Sequence, residues 1–62
     1  MSPDDLLTID DAIAILRVPR STFYYWRQKR RGPRSIKLPN GDVRIRRGDL
    51  ADWIQEHTEV AA

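Results

Sequence analysis

The stretch PRSTFYYWRQKRR, residues 19 to 31, sets four consecutive aromatics among hydroxyls, an amide and five basic groups. Amides and hydroxyls pair with base edges, and guanidinium and ammonium groups neutralise phosphates. This is the side-chain chemistry of a polyanion binder. Catalytic chemistry is poorly supplied. The chain has no cysteine, and its one histidine, His57, has only Glu56 and Glu59 beside it. Hydrolytic or metal work needs more ligands than that. No enzyme, metal or cofactor is expected.

The charge pattern points the same way. All 11 Lys and Arg fall between Arg17 and Arg47, with one acid, Asp42, among them. That segment carries a net charge of +10 in a chain whose total is +2. The other acids lie in the flanks: Asp4, Asp5, Asp10 and Asp11 on one side, Asp49, Asp52, Glu56 and Glu59 on the other. A block of one sign is the footprint of nucleic-acid binding. A merely solvated basic face is the plainer alternative.

At 62 residues the chain is expected to be one small domain, 1–62, with a thin core. Residues 1–5 and 58–62 are expected to fray. No apolar run approaches the ~20 residues of a membrane span. The acidic start is unlike a signal peptide, so a cytoplasmic setting is expected.

The elements that position these groups are legible in outline. Leu6 and Leu7 read as a short extended entry. Thr8 and Asp11 form a capping box with Asp at the usual Glu position. Ile9, Ala12, Ile13 and Leu16 then repeat at helical spacing. Val18-Pro19 breaks that helix. A second helix starts at Pro19 or Arg20 and runs to Lys29 or Arg30, where Gly32-Pro33 ends it. SIKLPNGDVRI reads as a β-hairpin turning at Asn40-Gly41. A third helix, GDLADWIQEH, buries Leu50, Trp53 and Ile54. The order is that of a small α+β, mostly helical, winged helix-turn-helix: helix, turn, helix, two-stranded hairpin wing, C-terminal helix.

Helical geometry sorts the aromatics. At about 100° per residue, Phe23 and Trp26 share a face and are the core pair, packing with Trp53. The opposite face carries Ser21, Tyr24, Tyr25 and Gln28. That is the equipment of a helix reading a DNA major groove. For the two tyrosines, partial burial against the wing or a neighbouring protein is the alternative. Arg20, Arg27, Lys29 and Arg31 rim this face and suit phosphates, as does Arg34, with Thr22 a marginal addition to helix packing. Arg30, Arg46 and Arg47 meet phosphate or solvent. The wing tip, with Lys37, Asn40, Gly41 and Arg44, fits a minor groove. A plain good turn would use the same residues.

LLTIDDAIAILRVPRSTFYYWRQ followed by KLPNGDVRIRRGDLADWI resembles the excisionase family, within the MerR-like winged-helix superfamily. The resemblance covers about residues 6 to 55. Its most specific pieces are the first-helix run Ile9 to Leu16, STFYYW, the glycine-tipped wing and R-R-x-D-L-x-x-W. It implies a phage or mobile-element recombination directionality factor without catalytic activity. Such a protein binds and bends attachment-site DNA and contacts a cognate integrase of the tyrosine or serine type. The family's reading contacts map onto Ser21, Tyr24, Tyr25 and Gln28. Two departures stand out. Pro19 occupies a place where many relatives have serine, and Tyr24 and Tyr25 occupy places where many carry arginine.

A small single-domain transcriptional regulator is the alternative of the same fold, and a protein-interaction adaptor or antitoxin the alternative of another class. The chain leaves little room for a long dimerisation helix, which favours the excisionase. Acidic flanks around a basic middle suit weak head-to-tail self-association along double-stranded DNA. The expected docking edge holds Arg46 and Arg47.

Overall fold

The computed structural model describes residues 2 to 59. Its elements run β1 (Leu6–Thr8), α1 (Ile9–Leu16), α2 (Arg20–Gln28), β2 (Ile36–Lys37), β3 (Val43–Arg46) and α3 (Arg47–Glu56). This is an α+β winged helix-turn-helix. The helix-turn-helix is α1 and α2 with Arg17, Val18 and Pro19 between them.

The capping box forms as its residues dictate. The Asp11 N–H donates to the Thr8 hydroxyl, and the Thr8 N–H donates to the Asp11 carboxylate, each at 3.0 Å. Those bonds hold the Asp11 pKa below its ordinary value. The Thr8 N–H is the main cause, followed by the Thr8 side chain. Helix α1 closes on Arg17, whose backbone is left-handed at φ 56° and whose N–H returns to the Ile13 carbonyl.

Helix α2 starts one residue after Pro19, which stands at the N-cap position with no side-chain cap bond. The Pro19 carbonyl accepts from Thr22 and Phe23. The far end departs from expectation. The helix stops at Gln28, and the residue that reverses the chain is Arg30 at φ 56°, not Gly32. The Arg31 N–H then reaches back 2.8 Å to the Trp26 carbonyl, which is the bond of a Schellman-type helix end.

The wing is larger than a hairpin. The sheet has three antiparallel strands in the order β1-β3-β2. Leu7 pairs with Ile45 on the core face, while Thr8 and Ile36 flank Arg44 on the other. The hairpin turns at Asn40-Gly41 as read, but not through the two-residue type I′ turn that an Asn-Gly pair most often makes. That type needs positive φ at both central residues. Only Arg17, Arg30 and Gly41 (φ 92°) have it among the described residues. Instead the Gly41 N–H donates to the Leu38 carbonyl and the Leu38 N–H to the Asp42 carbonyl, giving a three-residue loop with glycine in the left-handed place.

The core takes one buried side chain from each longer element: Leu7, Ala12, Phe23, Ile45 and Leu50, from β1, α1, α2, β3 and α3. Ile9, Ile13, Leu16, Val18, Trp26 and Trp53 pack around it, half-buried. Trp26 and Trp53 are thus rim, not interior, because so small a domain cannot enclose two indoles. Their rings lie 5.4 Å apart, and the Trp53 indole N–H donates to the Arg31 carbonyl at 2.9 Å. Ile54, expected inside, is exposed.

The leading residues are bonded where the sequence suggested fraying. Asp5 N–H turns back to the Ser2 carbonyl. Arg47 and Gly48 N–H, at the start of α3, donate to the Asp5 and Pro3 carbonyls. Thr58 and Glu59 are described, and Thr58 bonds back to Ile54 and Gln55. The remaining expected frayed positions, 1 and 60–62, lie outside the described residues.

Candidate nucleic-acid interface

Helix α2 is fixed by Phe23, which is 0% exposed and meets Trp26 edge-on at 6.4 Å. That anchoring turns Ser21, Tyr24, Tyr25 and Gln28 outward together, all four exposed. Tyr24 is 44% exposed and Tyr25 51%, so both rings are open to a partner. Lys29 sits with its ammonium 5.8 Å from the Tyr25 ring centre, within cation–π reach. The exposed face therefore carries hydroxyls, rings and an amide on a rigid rod, with cations at its margin. The major groove, about 12 Å wide, admits one such helix.

A family model described as a helix-turn-helix domain matches residues 6–58. The chain belongs to this family. No curated protein and no solved structure matches it. As a helix-turn-helix domain the chain is a DNA-binding unit, and no helix among its described residues is long and apolar enough to cross a membrane.

The other expected contact residues of this helix-turn-helix domain are not equally free. Arg20, at the first turn of α2, is ion-paired with Asp10 of α1. A cation at a helix N-terminus opposes the helix dipole, and the Asp10 carboxylate offsets that. The Arg20 pKa is raised, first by the hydrogen bond to Asp10 and then by its charge. Arg27 is half-buried, Thr22 also, and Arg34 is exposed. Arg31 leaves the rim. Its expected place assumed a helix continuing past Gln28; the chain reverses at Arg30, and Arg31 lines a depression with Trp26, Trp53 and His57 on the back of the helix.

The wing tip puts Lys37, Asn40 and Gly41 in solvent. The Asn40 side chain is occupied in shaping the turn: its oxygen accepts from the Asp42 N–H at 3.0 Å and its amide donates to the Asp42 carboxylate at 3.1 Å. Arg44 stands lower, half-buried between two strands, donating to the Val43 carbonyl at 2.9 Å and 3.7 Å from Asp42. Arg46 caps α3 and is exposed. Arg47 is half-buried with its Nε lacking a partner. Sequence reasoning left Arg30 as a phosphate or solvent residue. Its backbone is left-handed, as at Arg17, and no residue-type signal marks that.

Proposed function

We propose that this helix-turn-helix domain is an excisionase: a sequence-specific, DNA-bending architectural protein that directs a cognate integrase toward excision. The observation that carries the reading is charge segregation on one small rigid body. The reading side is basic, while Asp49, Asp52 and Glu56 line one depression on α3. In this reading Ser21, Tyr24, Tyr25 and Gln28 face bases in the major groove. Arg20, Thr22, Arg27, Lys29 and Arg34 hold phosphates, and Lys37, Asn40, Gly41 and Arg44 approach the minor groove. Arg20 exchanges Asp10 for a phosphate on binding. The protein has no catalytic role.

Asp5 and Asp11 are engaged within the chain, so the acidic surface left for head-to-tail docking is that of α3 together with Asp4 and the Asp10 that Arg20 releases. Heterologous contacts of this kind extend into a filament instead of closing as a dimer. They are weak in free solution and form when DNA raises the effective concentration.

Sedimentation of the free protein and gel shifts on one-site and three-site DNA test this. The expected result is a monomer that binds cooperatively, bends the DNA and stimulates excision by its integrase. The logarithmic salt slope should be about −4 to −5 per protomer, from four to six phosphates. A stable free dimer, or independent unbent binding that represses a promoter, supports the regulator instead. A slope near zero supports the adaptor.

A further inference from the structure

The junction between α2 and the wing holds a cleft of about 300 Å³ lined by Arg27, Arg30, Gly32, Pro33, Arg34 and Ser35. Three guanidinium-bearing residues converge on it and no carboxylate lines it. Among the described residues the ion pairs are Arg20–Asp10 and Arg44–Asp42, so none of these three arginines is neutralised in that way. The depression next to it shares Gly32 and Arg34 but is faced with Asp49, Asp52 and Glu56. The two therefore differ sharply in the charge they accept.

A second observation is independent of charge. Arg30 occupies the left-handed position that ends α2, at φ 56°. Helices favour glycine there, since any Cβ crowds the backbone. Arg17 ends α1 in the same conformation, but the strained residue that ends α2 stands beside a cluster of like charges, which points to a role for its side chain. The end of a helix also carries partial negative charge that repels anions. Here that charge is reduced: the Tyr25, Trp26 and Arg27 carbonyls accept from the N–H groups of Lys29, Arg31 and Arg30.

We propose that this cleft seats a single backbone phosphate of the bound DNA, and that Arg30 is kept in its strained conformation for that contact. The proposal rests on the DNA-binding reading and adds a specific anchor to it. Arg27 belongs to the reading helix, while Arg34 and Ser35 lead directly into β2. A phosphate held by both sides fixes the wing at one angle to α2. The seat sets the register of two groove contacts at once, without reading any base.

The test compares the full chain with Arg30→Gly and Arg34→Ala, on duplexes scanned with single neutral methylphosphonate linkages. In the unmodified protein one linkage position should weaken binding about tenfold. Arg30→Gly should melt several degrees higher, bind normal DNA about tenfold more weakly, and have a salt slope shallower by about 1. It should lose nothing further at the sensitive linkage. Arg34→Ala should show the same insensitivity without the gain in melting temperature. If the unmodified protein binds duplex DNA and Arg30→Gly matches it in affinity, slope and linkage profile, the seat is overturned alone. If the unmodified protein binds no duplex in a salt-dependent way, the DNA reading falls and the seat with it.

Discussion

Helix α2 and the wing tip are both read as DNA contacts, yet they are built in opposite ways. Helix α2 is pinned from beneath by Phe23 and braced by Trp26 on Trp53. The segment from Ile36 to Asp42 supplies no fully buried side chain and is shaped by its own bonds at Leu38, Asn40 and Asp42. Side chains on a packed helix keep fixed spacing, which base readout requires. A tip held only by local bonds adapts to groove width at small cost, which suits shape readout. The difference separates a reader from an adjustable clamp.

The largest way to break that contrast is from below. Phe23→Ala should cost about 3–5 kcal/mol. In a domain of this size that approaches the whole stability, so circular dichroism should show an unfolded or barely folded chain. Next, Gln28→Ala or Tyr24→Ala should weaken the footprinted site by about 1–3 kcal/mol while leaving a scrambled duplex nearly unchanged. Lys37→Ala should weaken both duplexes alike and flatten the salt slope by about 1. Equal losses from helix and tip on both DNAs would remove the distinction.

A smaller effect isolates the tip. Gly41 has φ 92° and open space where a Cβ would stand. Gly41→Ala should therefore cost only the left-handed penalty of about 1–2 kcal/mol, seen in urea unfolding, with specificity retained. Smallest is the acid response of the helix start. The folded pKa of Asp11 is depressed, so its contribution is present above the ordinary carboxylate range. It fades as pH falls through the lower folded value. Carboxyl NMR should place the Asp11 midpoint below the ordinary aspartate value, and Asp11→Asn should remove that part of the acid limb.

How much of this could be read in advance depended on how local the cause was. The capping box and the bounds of α1 lie within a few residues of each other, and both formed as read. The outward set Ser21, Tyr24, Tyr25 and Gln28 followed from helical angle and holds as geometry. Strand β1 was missed as a strand because three residues carry no periodicity and their partner is remote. The end of α2 was misplaced because Gly32 looked like the reversal and an arginine performs it. Arg31 was then misplaced with it. The turn closes as a three-residue loop, Pro39 to Gly41, whose place the Asn-Gly pair marked and whose length it did not. The tryptophans were correctly paired and wrongly placed in depth, since pairing follows from spacing but enclosure depends on how much chain remains to cover them.

The pairing of β1 with β3 has a consequence for synthesis. Leu6 meets Arg46, forty positions later, and Leu7 enters the core only opposite Ile45. The backbone bonds of helices α1 and α2 join near neighbours, whereas this ladder cannot start until β3 has been made. At ~5–20 residues per second, the ribosome takes roughly 2–8 s to supply that partner. For that interval Leu7 waits without its cover, and the first strand made is the last to be satisfied.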